Sequence, residues 1–219
     1  MSLSRSKTFQ LEVLKEDLLH QGFFRLRRLT LSHQLFAGGM SSPIEREVLD
    51  MRRAVAVLLY DPVQDAVVLI EQFRVGAMGH PDGAWVLELV AGIVEPGESD
   101  ADLAHREAME ESGCTISHLT FLHEYMVAPA ATTERIALYL ACVDASTAGG
   151  IHGLVEEGED IRVHVLAAEE AIREARPGGR INTSTPIIAM QWFGVNRESI
   201  RKNWLAERKR DGAESGLPS

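Results

Sequence analysis

Residues 92–114 read GIVEPGESDADLAHREAMEESGC and set Glu98, Asp100, Asp102, Glu107, Glu110 and Glu111 around one arginine, Arg106. Ser99 is a fitting helix N-cap, and Asp102, three residues on, completes a capping box. Gly113 stands where a left-handed C-terminal residue is wanted. In the helix so predicted, Glu107, Glu110 and Glu111 fall on one side, being three and four residues apart. Ala101, Ala104 and Ala108 share a neighbouring side, small enough for the helix to press close against a sheet. Like charges at this spacing repel, and the helix dipole worsens the repulsion towards the C-terminal end. Something positive is therefore expected among them. Oxygen ligands with room for water suit a hard cation such as Mg2+ or Mn2+ better than zinc, which prefers nitrogen and sulfur. A solvated acidic helix face would carry the same charges, and the acids alone do not separate the two readings.

Their fixed neighbours do. Gly92, Glu98, Arg106, Glu107, Glu110, Glu111 and Gly113 match the Nudix box, G-x5-E-x7-R-E-U-x-E-E-x-G-U with U a bulky apolar residue, and the chain resembles that family. Ala108 and Cys114 are smaller than usual at the U positions, a departure that touches packing rather than chemistry. The resemblance implies an α/β/α sandwich around a mixed β-sheet. It also implies cation-dependent hydrolysis of a nucleoside diphosphate linked to a further group. Three segments narrow it to the bacterial ADP-ribose pyrophosphatase group: VVLIEQFR at 67–74, LELVAGIVEPGES at 87–99 and GIHGLVEEGEDIRVHV at 150–165. The similarity runs from about Gly22 through the last predicted helix. Members of that group cleave ADP-ribose to AMP and ribose 5-phosphate and act as homodimers with exchanged N-terminal parts. GDP-mannose or ADP-glucose hydrolysis is the nearest alternative. A non-catalytic module sensing ADP-ribose or NAD metabolites is a further one, disfavoured by the intact acidic cluster. No EF-hand spacing supports a calcium protein.

Glu107 and Glu111, one turn apart, are the expected metal ligands, and the resemblance adds the Ala91 carbonyl at the strand end before the box. Glu98 and Glu110 are expected to orient these ligands, with Glu110 an alternative ligand, and Arg106 to pair with a neighbouring carboxylate. By resemblance the general base falls on Glu157 in a mobile loop, and Glu159 on a further metal-contacting position. Arg74 follows a strand and could clamp a phosphate bidentately, although a surface arginine would look the same. The resemblance assigns substrate contacts to Phe23, Phe24, Arg46, Glu47, Ile93 and Glu134, the first four reaching across a dimer. Two departures bear on the substrate. Met51 replaces an arginine of the group, with Arg52 and Arg53 adjoining, and Ala128-Pro129-Ala130-Ala131 replaces a Ser-Pro-Gly-Gly loop. His152 in the mobile loop is a weaker substrate-contact candidate.

At 219 residues the chain accommodates one ordinary domain and an added element. A formal charge of −10 argues against non-specific nucleic-acid binding, which needs a basic surface to displace counterions. No apolar run approaches the roughly 20 residues of a membrane span, and the N-terminus lacks the apolar core of a secretory signal. With only Cys114 and Cys142, neither a disulfide framework nor a zinc site is suggested, and a cytoplasmic enzyme fits best. Alternation predicts an N-terminal antiparallel β element over 1–50 that does not bury its own apolar face, so a second copy is expected to cover it. A Nudix domain is expected over 51–208, with strands at 53–60, 66–73, 119–127, 136–143 and 161–166 and an apolar run at 85–91, interrupted by Glu88, that ends as a strand before the box. Helices are expected at 167–175 and from Thr183 or Ser184 to about Glu207, then a disordered tail over 209–219. Residues 145–158, glycine-rich and without apolar periodicity, read as a mobile loop. Trp85, Trp192 and Trp204 are expected in the core or an interface.

Overall fold

The computed structural model describes residues 9–214; residues 1–8 and 215–219, the latter the end of the expected tail, lie outside it. The described chain separates into two units, one of residues up to Arg52 with Met126–Arg135, the other Arg53–Tyr125 with the remainder.

The first unit is an antiparallel sheet of β1 (Leu11–Gln21), β2 (Arg25–His33) and β3 (Ile44–Asp50), in that order. Irregularities between Val13 and Lys15 and between Leu18 and His20 shift the β1–β2 register. Arg27 bonds bidentately to Asp50, and Arg28 pairs with Glu47 at 2.9 Å. Among the described residues the aliphatic side chains of β1 stay largely exposed: Leu11 is 64% and Leu18 50% exposed. The 126–135 segment is stitched to the end of β3. Leu49 N–H donates to Ala131 O, and the Thr133 hydroxyl both accepts from Met51 N–H and donates to Met51 O. Its turn closes on Ala128 O, which accepts from the amides of Ala131 and Thr132. Among the described residues Asp65 is the only non-glycine with positive φ, so the alanines at 130 and 131 adopt this turn without left-handed backbone.

The second unit contains β4 (Ala54–Asp61), β5 (Ala66–Phe73), β6 (Trp85–Glu88), β7 (Val90–Ile93), α1 (Asp100–Ser112), β8 (His118–Met126) and β9 (Arg135–Cys142). It continues with β10 (Ile151–His152), β11 (Ile161–Ala167), α2 (Ala168–Glu174) and α3 (Ser184–Glu214). The sheet runs β10-β11-β5-β4-β9-β8, with β4 and β9 parallel and β4, β5 and β11 antiparallel. The apolar run 85–91, interrupted by Glu88, forms two strands. The β4–β5 ladder holds only between Leu59–Asp61 and Ala66–Val68; beyond it β6 takes β5 and β7 takes β4, with buried Leu89 at the break. The two strands part, and the inserted β6 and β7 satisfy their freed backbone groups.

Period-two alternation divides β4 between two layers. Val55, Val57 and Leu59 join Leu103, Ala104 and Ala108 of α1 in one core cluster. Tyr60 faces the other way, stacked edge-on against Phe193 and near Trp204 of α3. The sheet is thus sandwiched between α1 and α3. Ala101, expected to share the packed side of α1, is exposed, so the close approach rests on Ala104 and Ala108. Of the tryptophans only Trp204 is buried; Trp85 is 62% exposed. The Tyr60 hydroxyl donates to Asp65, whose carboxylate is also held by Arg197 and Arg201, tying α3 to the β4–β5 turn. The expected mobile loop over 145–158 instead contains β10 and a 3₁₀ turn at Val155–Glu157. The last helix continues past Glu207 to Glu214, so 209–214 of the expected tail is helical.

Candidate active site

Helix α1 starts and ends where its sequence predicts. Ser99 caps it, its hydroxyl oxygen accepting from Asp102 N–H at 3.1 Å, and Gly113 closes it with φ 68°. Asp100, in the first turn, takes a bidentate pair from Arg53 and a 2.8 Å hydrogen bond from the Tyr139 hydroxyl. Its carboxyl is held below the usual carboxylate range, chiefly by Arg53. Arg53 also bonds Glu124 at 2.7 Å, so it braces the helix start. The Arg52-Arg53 dipeptide does not reveal this pairing in sequence, because the partners of Arg53 lie 47 and 71 residues away.

Glu107 and Glu111 lean from α1 onto the end of β7. Gly92 makes room: a Cβ there would overlap the Glu107 carboxylate. Glu111 is 2% exposed and accepts from the Ala91 amide at 2.9 Å. Burial pushes the Glu107 carboxyl up to about 7, with Glu110 and Glu159 adding to the rise and Arg106 opposing it. Burial also drives Glu111 well above the ordinary range, reinforced by Glu107 and Glu159. Arg106 spans the other acids, reaching Glu98 at 3.1 Å, Glu107 at 3.0 Å and Glu110 at 2.9 Å. Glu98 accepts from Arg106 and from Glu95 N–H, so it holds the arginine in place.

One buried and one largely buried carboxylate that repel each other are costly as anions unless a cation compensates them. Among the described residues no three acidic or imidazole side chains already converge as a closed cage. Glu107, Glu111 and Glu159 nevertheless act on one another electrostatically. An oxygen-only donor set, backed by the Ala91 carbonyl position, fits a hard divalent cation with water in its shell.

The β10–β11 loop supplies the remaining acids. Glu159 Oε2 accepts from Leu154 N–H at 3.0 Å, whereas Glu157 ends the 3₁₀ turn, exposed and ahead of left-handed Gly158.

The NUDIX domain model matches residues 50–185. The chain belongs to the NUDIX family. Its relatives include an ADP-ribose pyrophosphatase of Haemophilus influenzae, 43% identical over 197 residues, covering 89% of this chain and 90% of that protein. The ADP-ribose pyrophosphatase of Escherichia coli K12 is 40% identical over 88% of this chain and 92% of its own. A GDP-mannose pyrophosphatase of Cronobacter sakazakii is 32% identical over 78% and 88%. Among solved structures, an ADP compounds hydrolase superposes with TM-score 0.62 at 22% identity, covering 87% of this chain and 98% of that one, a likeness of fold.

The Nudix box and the loop thus bring together Ala91, Glu98, Arg106, Glu107, Glu110, Glu111 and Glu159. Arg74 lies near enough to lower Glu111's proton affinity, and its guanidinium bonds Glu88 at 2.7 Å. Ile93 ends β7 opposite Ala54, half exposed. The other expected substrate residues belong to the first unit. Phe23 and Phe24 sit at the β1–β2 turn as an edge-to-face pair, centroids 4.8 Å apart, with Phe23 83% exposed and outside any core. On β3, Arg46 bonds the Glu45 carbonyl and Glu47 pairs with Arg28. Glu134 is half-buried, and burial raises its carboxyl. His152 is turned onto Gly113 and the Gly149 carbonyl.

Proposed function

We propose that this Nudix enzyme hydrolyses the pyrophosphate of ADP-ribose to AMP and ribose 5-phosphate, with Mg2+ or Mn2+ held by Glu107, Glu111, Glu159 and the Ala91 carbonyl. The observation that carries the reaction is the mutually repelling pair Glu107–Glu111, withdrawn from solvent beside the box glycine, an arrangement that a bound cation relieves without protonation. Relatives at 40–43% identity named for ADP-ribose favour that substrate. A bound divalent ion lowers the pKa of its water and neutralises charge on the bridging oxygens.

The chain's own groups do the rest. Arg106, fixed by Glu98, screens Glu107 and Glu110 and holds them in orientation. Arg74 exchanges Glu88 for the diphosphate. Glu157 takes a proton from the attacking water as its oxygen bonds to phosphorus and the P–O bond to the leaving phosphate breaks. A base carried on a loop completes the site only when substrate is seated. Phe23, Phe24, Arg46, Glu47, Ile93 and Glu134 contact the adenosine and ribose parts, with the N-terminal unit exchanged in a homodimer. The exposed aliphatic residues of β1 favour that assembly. We place the enzyme in the cytoplasm; no described helix is long and apolar enough to cross a membrane.

GDP-mannose is the second reading, favoured by relatives near 30% identity with that name. Turnover of ADP-ribose, ADP-glucose and GDP-mannose in Mg2+, with products identified in 18O-water, decides. A dominant guanine substrate overturns the proposal, and ligand binding without turnover overturns the assignment of a catalytic site.

A further inference from the structure

The β10–β11 loop returns to the helix bearing the acids through contacts that involve no carboxylate of that helix. Gly153 N–H donates to Glu110 O at 3.3 Å. That carbonyl lies in the last turn of α1, where helix geometry leaves oxygens without an intrahelical donor. The adjacent His152 covers Gly113 so closely that a Cβ there would stand 2.9 Å from His152 Cε1. Its Nε2 lies 2.8 Å from Gly149 O. The carbonyl can only accept, so Nε2 carries the proton and the ring is fixed in its plane.

From that contact the chain reaches Glu159 in one step. Gly153, at φ 99°, backs onto the Glu159 side chain; a Cβ there would lie 2.7 Å from Glu159 Cβ. Leu154 completes the clasp, donating its N–H to Glu159 Oε2 and accepting from Glu159 N–H. Glu159 in turn is one of the charges felt by Glu107 and Glu111.

We infer that His152 is a positioning residue: seated on Gly113, it docks the acidic loop on the C-terminal end of α1 and so sets Glu159 against Glu107 and Glu111. The inference rests on reading those acids as a metal seat. It also gives the second box glycine two duties. A left-handed C-terminal position accepts asparagine as well as glycine, but the imidazole needs a bare surface that only glycine offers.

Two measurements test this. In metal-free protein, hydrogen exchange at the Gly153 amide should quicken about 10-fold or more in His152→Ala. The amide of His164, opposite Leu69 inside the sheet, should stay protected. By titration calorimetry with Mg2+, His152→Ala and Gly113→Asn should each weaken binding about 10-fold. Combined, the two should cost little more than either, because removing the imidazole removes what the new side chain on the helix end would strike. Unchanged exchange at Gly153, or strictly additive losses, overturns the docking role. If wild-type protein binds no Mg2+, the metal-seat reading fails, and the exchange result alone still decides whether His152 holds the loop.

Discussion

Glu107 and Glu111 are one turn apart on a helix and both are withdrawn from solvent. Replacing Glu111 with Gln keeps shape and removes charge, so turnover should fall by at least about 10³-fold as cation support is lost. The metal-free protein should melt no lower than wild type at pH 8. Glu157→Gln removes the proposed base without touching the buried acids. Its kcat should drop about 10²- to 10⁴-fold with little change in KM, and a normal rate would reassign the base. The same burial has a pH signature. A carboxyl raised from 4.5 to about 7 binds more proton in the folded than in the unfolded state between those values. Metal-free stability from Glu107 is therefore present below about pH 4.5 and declines as pH rises towards 7. Added Mg2+ should accordingly raise Tm more at pH 8 than at pH 5, by about 5 °C, in differential scanning calorimetry.

At the scale of elements, Gly92 on β7 and Ala104 and Ala108 on α1 set how closely the helix meets the sheet. Gly92→Ala should displace the Glu107 carboxylate and abolish activity while far-ultraviolet circular dichroism stays native. Retained activity would mean that the glycine serves the strand alone. Capping chemistry makes α1 legible residue by residue, since Ser99, Asp102 and Gly113 act within one turn of themselves. The acids and their arginine are legible for the same reason. Long-range geometry is not. Glu88 marks an interruption in the apolar run, but not that its two halves pair with different strands, because the cause is the parting of β4 from β5. Nor does the glycine-rich stretch before Ile161 show its order. Its strand needs Arg162 and Ile161 as partners, and its anchor is a carbonyl on another element. In sequence His152 suggests at most a substrate contact, and its seat on the bare surface of Gly113 shows only in the fold.

For the whole molecule, the exposed Leu11, Val13 and Leu18 of β1 are the residues the proposed dimer would cover. Leu18→Asp should shift the protein from dimer to monomer in multi-angle light scattering. A wild-type protein that is monomeric throughout would remove the exchanged-dimer proposal. Strand order carries one more consequence. The central strand β4 joins β9, whose residues lie about eighty positions later, and β5 joins β11, roughly a hundred later. During vectorial synthesis the acids of α1 leave the ribosome well before those strands arrive to wall them in. Glu159 just precedes β11, so the proposed centre is complete only once that segment has been made, and a nascent chain halted before it should be inert towards the nucleotide pool around it.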